Sequence, residues 1–360
     1  MNVELGPNPQ AEILKPPAES NCQRPDPQGL LDQTASLSTL QRFAHDSLIS
    51  SRQVSREMAI DLARLAAILE TAEISAYRPL WGKIIITAFF EASTRTRTSF
   101  ESAALRLDGR VISIPDGQLT GVKKGESLED IGEMFNAYGD LVVVRHGETD
   151  ALDKLRKNLR VPLINAGNGS GEHPTQALAD WYTLMKWRPD LMLEEPQGPP
   201  LNLGILGTPG SMRAVKSFLL QALEFKAHIN RIILVSDLAD PLGQDLLDAM
   251  EASDVEYEVT NDIREVLPDL DVIYMNSIAF LGDSYKAMGA RYKLNADSNL
   301  KSDAVILHPL ARLDELDTSL DDTAHNLYWA QAHGAVFIRQ ALLIAMFNRF
   351  GRLPENIPLR

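Results

Sequence analysis

The sequence predicts an α/β protein with two doubly wound parallel-sheet domains and an active-site cleft between them. At 360 residues, the chain exceeds the length at which a single hydrophobic core usually stops growing, and this favours two domains. Short apolar runs rich in β-branched residues alternate with helical patterns, which is typical of parallel sheets. The stretch from Trp187 to Pro200 contains four prolines and interrupts the alternation, so we place the interdomain connection there.

The first 38 residues differ in composition from the rest of the chain. They are rich in Pro, Gln, Asn and Ser, and their prolines break any regular pattern. We expect residues 1–38 to form a disordered or extended N-terminal arm. A plain tail is a more common role for such a segment than an interaction arm.

The first regular elements form a strand, helix, strand series. Apolar residues recur at helical spacing from Ser51 onward, and Ser55 is available to cap that helix. The run from Lys83 to Phe90 is apolar and β-branched, which predicts a buried strand. A helical pattern then ends at Gly109, and Val111 to Ile114 predicts the next strand. This order predicts a βαβ unit.

The same alternation continues along the chain. More strands are predicted at Leu141–Val144, Pro162–Ile164, Leu201–Leu206, Ile232–Val235, Val272–Met275 and Ala304–Leu307. Helical patterns lie at Ala177–Lys186 and Met212–Phe225. We therefore expect a first domain over residues 39–186, completed by a C-terminal helix at about 330–350, and a second domain over residues 187–329.

Composition excludes several classes of function. The chain has 35 basic and 49 acidic residues, and its net charge of -14 disfavours nucleic acid and anionic membranes as partners. No stretch of about 20 apolar residues is present, and the first residues lack a secretion signal, so we expect neither secretion nor membrane insertion. Cys22 is the single cysteine, and no Cys/His cluster has zinc-ligand spacing. A cytoplasmic location fits these features.

The run Ser93-Thr94-Arg95-Thr96-Arg97 lies where the predicted strand ends and the next helix begins. The first N–H groups of a helix have no partner inside the helix, and the positive end of the helix dipole attracts anions. Hydroxyls add neutral donors, and arginine adds a forked, charged donor that suits phosphate oxygens. The run therefore indicates a phosphate site, while a solvated helix start capped by Ser93 is the alternative.

Further motifs follow this run in a recognisable order. They are Lys123-Lys124-Gly125-Glu126, Arg145-His146, His173-Pro174-Thr175-Gln176-Ala177-Leu178-Ala179-Asp180 and His308-Pro309-Leu310-Ala311-Arg312. Together they resemble the signature of the aspartate and ornithine carbamoyltransferase family, from about His45 to about Arg349, and the aspartate type most of all. The resemblance implies transfer of the carbamoyl group of carbamoyl phosphate to the amine of an amino acid. The first domain would bind carbamoyl phosphate and the second the acceptor.

The resemblance also assigns roles in binding carbamoyl phosphate. It implies that the phosphate is held by Ser93, Thr94, Arg95 and Thr96. Arg145 would reach both the phosphate and the carbamoyl oxygen, and His173 would donate to that oxygen. Gln176 and the backbone carbonyl of Leu310 would bind the carbamoyl nitrogen. Fixed cations and donors of this kind stabilise the charge that develops as phosphate leaves.

Two residues lie on the polar stretch from Asp116 to Gly125, which taken alone predicts an exposed basic loop. In the family, this loop crosses into the active site of a neighbouring subunit. The resemblance therefore implies that Thr120 and Lys124 contact carbamoyl phosphate in a neighbour's site, that Lys124 takes part in catalysis and acceptor binding, and that the protein is a homotrimer with shared sites.

The acceptor side matches the family less well. Arg213 matches the arginine that binds part of the amino acid acceptor. Aspartate enzymes also place an arginine and a glutamine where this chain has Ser277 and Ala279. Loss of a cation that offsets a buried carboxylate costs roughly 2–5 kcal/mol, so an acceptor without a second carboxylate is the alternative to aspartate. Ala311 also replaces a usual proline, which leaves the turn at Leu310 unpredicted.

The chemistry requires neither a covalent nucleophile nor a metal or organic cofactor, because the acceptor amine itself attacks the carbamoyl carbon. Two other hypotheses remain. A non-catalytic homologue that assembles with an active partner is disfavoured, because the phosphate-binding motif is complete. A dinucleotide-dependent enzyme would rest on fold analogy alone, and Gly204, Gly207 and Gly210 lack the specific spacing.

Overall fold

The computed structural model describes residues 25–72, 74–238, 240–276 and 289–360, and in these residues parallel strands form two sheets. The first sheet has the order β2-β1-β3-β4, with strands β1 (Ile84–Phe89), β2 (Arg110–Ile114), β3 (Leu141–His146) and β4 (Leu163–Asn168). The second has the order β7-β6-β5-β8-β9, with strands β5 (Leu201–Leu206), β6 (Ile229–Val235), β7 (Tyr257–Thr260), β8 (Val272–Tyr274) and β9 (Val305–Leu307). The predicted fold class is confirmed.

The helices connect these strands and cover the sheets. They are α1 (Leu37–Leu40), α2 (Arg56–Thr71), α3 (Thr94–Arg106), α4 (Leu128–Tyr138), α5 (Ala151–Arg156), α6 (Pro174–Trp187), α7 (Arg213–Glu224), α8 (Gln244–Ser253) and α9 (Tyr328–Met346). Ser55 caps α2 as predicted, because its hydroxyl accepts the N–H of Met58 at 3.4 Å. No helix in the described part of the chain is both long enough and apolar enough to cross a bilayer.

The order of the strands is by itself enough to indicate where a binding site should lie. In the first sheet β1 lies between β2 and β3, and in the second sheet β5 lies between β6 and β8. Connections on the two sides of such a strand leave toward opposite faces of the sheet. A crevice therefore opens at the carboxyl ends of the strands, where doubly wound proteins bind ligands.

Two long helices join the halves of the molecule. Helix α9 packs against α2, α3 and α6, so the C-terminal segment returns to the first sheet. Helix α6 packs against α7 of the second half, and there Trp181 stacks on Phe225 with 4.3 Å between ring centroids. Phe218 of α7 stacks on Tyr274 at the end of β8, at 4.1 Å. This aromatic stack gives the two sheets a common apolar support.

The predicted N-terminal arm is too long. Residues 1–24 lie outside the described residues, but the segment from 25 to 38 is packed on the domain. Leu30 is fully buried, and Ala35 pairs with Leu359 in a parallel bridge near the C-terminus. The partners of this segment are far away in sequence, so its composition could not reveal them.

Strands β4 and β7 differ most from the predicted pattern. Strand β4 continues to Asn168, beyond the predicted end at Ile164, and β7 was not predicted. Strand β7 lies at the edge of its sheet, and most of its side chains are exposed. It therefore lacks the continuous apolar run that marks a buried parallel strand.

Candidate active site

A cavity of about 1000 Å³ lies where strands of both sheets end. Segments that follow β1 and β4 line it from the first sheet, and segments that follow β5, β8 and β9 line it from the second. The predicted site residues that line it are Ser93, Thr94, Arg95, Thr96, Arg145, His173, Gln176, Arg213 and Leu310. Residues from distant parts of the sequence thus meet in one cavity.

The start of α3 is arranged differently from a plain capped helix. Ser93 occupies the N-cap position, yet its side chain makes no capping hydrogen bond. Its hydroxyl instead accepts a long hydrogen bond from Nη1 of Arg145, at 3.4 Å. The hydroxyl therefore faces the cationic side of the cavity, and the backbone N–H groups of the first turn are left without a side-chain cap.

The two arginines of the run have different surroundings. Arg97 donates from Nη1 to Glu101 at 3.3 Å and to the Ser113 hydroxyl at 3.1 Å. Arg95 lines the cavity, and within the described part of the chain its guanidinium has no hydrogen-bond or ion-pair partner. Burial lowers the pKa of Arg95, but an arginine remains a cation at neutral pH. The charge of Arg95 is therefore available to an anion.

Glu91 joins two other cavity arginines. Its carboxylate accepts from Nη2 of Arg145 at 2.8 Å and from both terminal nitrogens of Arg213, at 2.7 and 2.9 Å. Burial alone raises the pKa of Glu91, but hydrogen bonds and charges from Arg213 and Arg145 outweigh it, so the pKa lies below its usual value. The ionised Glu91 thus connects the first sheet to the start of α7.

His173 is buried beside the start of α3. Its Nε2 lies 3.3 Å from the hydroxyl of Thr96. Burial, followed by the positive charges of Arg145, Arg339 and Arg213, lowers the pKa of His173 well below its usual value. The imidazole is therefore neutral at neutral pH and has one N–H to donate.

The turn at Leu310 is held by a buried histidine. Nδ1 of His308 accepts the backbone N–H of Leu310 at 2.8 Å, and Nε2 of the same ring lies 2.9 Å from Glu315. Burial lowers the pKa of His308. Burial also raises the pKa of Glu315, but hydrogen bonds from His308 and from backbone N–H groups together outweigh it, so the pKa of Glu315 lies below its usual value. A neutral His308 therefore donates to an ionised Glu315. The peptide bond between Leu310 and Ala311 is cis, an arrangement that the sequence did not predict.

Gln176 belongs to a buried polar network that the sequence did not reveal. Its Nε2 donates to Asp180 at 2.7 Å, and Gln331 of α9 and Tyr274 donate to the same carboxyl group. Burial raises the pKa of Asp180 to about 7. Asp180 lies inside the motif that begins at His173, and Glu91 lies two residues before Ser93, so their positions in the sequence were an available signal. Gln331 lies in none of the family motifs.

Two predicted residues lie outside this cavity, and two others cannot be placed because they fall outside the described residues. Thr120 and Lys124 lie outside it, on the segment that follows β2; Thr120 lines a separate recess and Lys124 is exposed. Ser277 and Ala279 lie outside the described residues. Among the residues that the structure does describe, no group of three or more His, Cys, Asp or Glu side chains could hold a metal ion.

Both halves of the chain match models of one protein family. The carbamoyl-P binding domain of aspartate/ornithine carbamoyltransferase matches residues 46–186, and the Asp/Orn binding domain matches residues 201–346. The chain is 35% identical over 314 residues to the chloroplastic aspartate carbamoyltransferase of Arabidopsis thaliana, covering 84% of this chain and 78% of the relative. It is 37% identical over 303 residues to the aspartate carbamoyltransferase catalytic subunit of Pyrobaculum islandicum, covering 82% and 96%.

Solved structures of an enzyme from Trypanosoma cruzi are similar in fold. Its aspartate transcarbamoylase in complex with N-(phosphonacetyl)-L-aspartic acid has a TM-score of 0.77 and 30% identity, covering 88% of this chain and 98% of that chain. The same enzyme in complex with carbamoyl phosphate and aspartate has a TM-score of 0.76 and 29% identity, covering 84% and 96%.

Proposed function

The chain belongs to the aspartate/ornithine carbamoyltransferase family, and on this premise we propose that it transfers the carbamoyl group of carbamoyl phosphate to the amine of aspartate. The observation that carries the proposal is the meeting of cationic and hydroxyl side chains at the start of α3. Among the described residues, the Arg95 guanidinium has no hydrogen-bond or ion-pair partner, and Arg145 donates to the hydroxyl of Ser93. This is an anion site at a helix N-terminus.

The phosphate end of the donor would occupy this helix start. We assign the phosphate oxygens to Ser93, Thr94, Arg95 and Thr96, with Arg145 between the phosphate and the carbamoyl group. When the acceptor nitrogen bonds to the carbamoyl carbon, the bond from that carbon to the phosphate oxygen breaks. The electron pair leaves with phosphate, which also takes the proton of the amine. Cations held around the leaving group stabilise its growing charge.

The carbamoyl end would lie deeper in the cavity, near His173, Gln176 and Leu310. A neutral His173 can donate its N–H to the carbamoyl oxygen, on which negative charge develops during attack. The carbonyl groups of Gln176 and Leu310 suit the N–H groups of the carbamoyl nitrogen. The site thus offers donors to the oxygen and acceptors to the nitrogen.

The acceptor would enter from the second half of the chain, where Arg213 can receive a carboxylate. Aspartate is supported by the relatives, which are named aspartate carbamoyltransferases. The sequence also favours a second candidate, an amino acid without a side-chain carboxylate. Ser277 and Ala279 supply neither of the polar ligands, an arginine and a glutamine, that aspartate enzymes place there.

We further propose a homotrimer in which Thr120 and Lys124 complete the site of a neighbouring subunit. Lys124 is exposed and lies outside the cavity of its own chain, which is what a shared site requires. Large apolar side chains are exposed near the same segment: Ile112, Met134 and Tyr138. A subunit contact that covers them would remove this apolar surface from water.

A reducing compartment, the cytoplasm, is our proposal for location. It is supported by the use of a single cysteine in 360 residues. Membership in the family does not determine the compartment, because the relative from Arabidopsis thaliana is named as a chloroplastic protein.

The test measures the binding of carbamoyl phosphate first and catalytic turnover second. Calorimetry should detect carbamoyl phosphate at millimolar concentration or below, and phosphate release should then depend on an added amine. Failure to bind carbamoyl phosphate would contradict the proposal and favour a non-catalytic homologue. A comparison of aspartate with alanine and asparagine as substrates identifies the acceptor. Faster turnover of alanine or asparagine than of aspartate would support an acceptor without a side-chain carboxylate.

A further inference from the structure

We propose that Asp180 is a positioning residue that fixes the amide orientation of Gln176 and thereby makes the donor site select a carbamoyl group over acyl groups without N–H. The inference deepens the proposed function and rests on it, because it assumes that Gln176 meets the carbamoyl nitrogen. It concerns how the enzyme would distinguish carbamoyl phosphate from acetyl phosphate, which has a methyl group in place of the NH₂ group.

The first step is the contact between the two side chains. Nε2 of Gln176 donates to Oδ1 of Asp180 at 2.7 Å, one helical turn further along α6. Gln176 is only partly buried and lines the cavity, whereas Asp180 is fully buried behind it. Because the amide is planar, an NH₂ group that points at Asp180 leaves the carbonyl oxygen of Gln176 pointing away from Asp180. Gln176 therefore offers an acceptor to a ligand.

The second step explains why this orientation is the one that forms. Oε1 of Gln331 accepts the backbone N–H of His308 at 2.8 Å, and a backbone N–H can only donate. The amide of Gln331 is thus fixed with its NH₂ group toward Oδ1 of Asp180, at 2.5 Å. Oδ1 of the ionised carboxylate can only accept, so Gln176 must also direct its NH₂ group at it.

The third step concerns protonation. Burial raises the pKa of Asp180 to about 7, so both forms of the carboxyl group are populated at neutral pH. In the protonated form the proton belongs on Oδ2, because Oδ1 already receives two N–H groups. Oδ2 faces the hydroxyl of Tyr274 at 2.9 Å, which can donate to a carboxylate or accept from a carboxylic acid. The orientation of Gln176 is therefore the same in both forms.

The consequence is a chemical filter at the donor site. A carbamoyl nitrogen donates hydrogen bonds and satisfies the carbonyl oxygen of Gln176, while an acetyl methyl group leaves that oxygen desolvated and unpaired. A mismatch of this kind costs about tenfold or more in affinity. If the side-chain amide of Gln176 could rotate and exchange the positions of its oxygen and nitrogen, its NH₂ group would face the ligand. The preference for a carbamoyl group over an acetyl group would then disappear.

The experiment compares dissociation constants, measured by calorimetry, for carbamoyl phosphate, acetyl phosphate and inorganic phosphate. In the unmodified enzyme carbamoyl phosphate should bind about tenfold or more tightly than acetyl phosphate. Asp180→Leu keeps the branched side chain with the same number of heavy atoms but has no acceptor. Its preference for carbamoyl phosphate over acetyl phosphate should fall to the level measured for Gln176→Met. Inorganic phosphate should bind both variants within about twofold of the unmodified enzyme, because its ligands lie at the start of α3.

Two matched variants separate positioning from general structural support. Asp180→Asn should keep the preference, because Gln331 obliges the amide oxygen of the new residue to take the place of Oδ1. Tyr274→Phe removes only the hydrogen bond to Oδ2 and should also keep it. If Asp180→Leu does not fold, Gln176→Met still tests the filter, since its side chain is only partly buried.

The outcomes are distinguishable. An unmodified enzyme that binds inorganic phosphate but does not prefer carbamoyl phosphate over acetyl phosphate overturns this inference alone. A preference that is undiminished in Asp180→Leu or in Gln176→Met also overturns this inference alone. An equal loss of affinity for all three ligands in Asp180→Leu overturns it too. Failure of the unmodified enzyme to bind any of them overturns the proposed function and this inference with it.

Discussion

Arg213 holds Glu91 through two hydrogen bonds, from Nη2 to Oε1 at 2.7 Å and from Nη1 to Oε2 at 2.9 Å. Glu91 lies between β1 and α3 in the first half of the chain, and Arg213 is the first residue of α7 in the second half. The pair therefore crosses the cavity and joins the proposed donor side to the proposed acceptor side. Because Glu91 also pairs with Arg145, it balances charge on both sides.

The first prediction tests this bridge. Glu91→Gln should lower the free energy of unfolding by about 1–2 kcal/mol, because charged hydrogen bonds to two arginines are lost at a partly exposed site. Urea unfolding measures the change. Glu133→Gln is the matched control, because Glu133 accepts two bonds from Arg160 at 2.7 Å each but on an exposed surface. No measurable change is expected for the control, and equal effects in both variants would contradict a special role for Glu91.

The second prediction concerns Arg95. Arg95→Ala should lower kcat/KM by about 100-fold or more, because a fixed cation at the leaving phosphate is removed. Thermal unfolding should be nearly unchanged, because within the described residues the Arg95 guanidinium has no partner to lose. Arg97→Ala is the control: its guanidinium is engaged by Glu101 and Ser113, so the affinity for phosphate should change little. A larger loss of phosphate affinity in the Arg97 variant would reverse the assignment.

The third prediction tests the shared site. Lys124→Ala and Arg95→Ala should each be nearly inactive, yet a mixture of the two variants should regain activity after subunit exchange. In a mixed trimer, a subunit with intact Arg95 can receive Lys124 from a neighbour. Steady-state turnover measures recovery, and native mass spectrometry shows whether mixed trimers have formed. Mixed trimers without activity would place Lys124 outside a neighbour's site.

The fourth prediction follows from the low pKa of His173. In the unfolded chain a histidine gains a proton as pH falls through about 6.5, but the buried His173 stays neutral in the folded protein. The stability contribution of His173 is thus full above pH 6.5 and is lost as pH falls below it, by up to about 1.4 kcal/mol per pH unit.

The measurement is the difference in unfolding free energy between the unmodified protein and His173→Gln. Other groups titrate equally in both proteins, so the difference isolates His173. It should be constant from pH 8 to 7 and shrink from pH 6.5 to 5.5. A constant difference down to pH 5.5 would mean that His173 takes up its proton in the folded protein as well.

Local patterns predicted much of the fold. The apolar runs from Lys83 to Phe90 and from Leu141 to Val144 correspond to buried strands, because a parallel strand covered on both faces needs continuous apolar residues. The arrangement of the Ser93 to Arg97 run was equally predictable, because a strand that leads directly into a helix places neighbouring hydroxyl and guanidinium groups at one helix start. Among the strands of the described residues, the exposed edge strand Tyr257–Thr260 was the one that lacked such a pattern.

Contacts between segments that are far apart in sequence could not be predicted in this way. Leu30 is buried because its segment packs against α2 and α6, and Lys124 lies outside the cavity of its own chain. No composition or spacing near either residue encodes these contacts. Each depends on where a remote part of the chain arrives.

The sequence by itself determined the class of fold, the family and the residues that we propose for the donor site, because these depend on short motifs and on the alternation of strand and helix. Only the tertiary structure decided what surrounds those residues. It brought Glu91 to Arg213 and set Asp180 between Gln176 and Gln331. Charges and hydrogen-bond directions depend on burial and on partners far away in sequence, and these are fixed only when the two halves pack together.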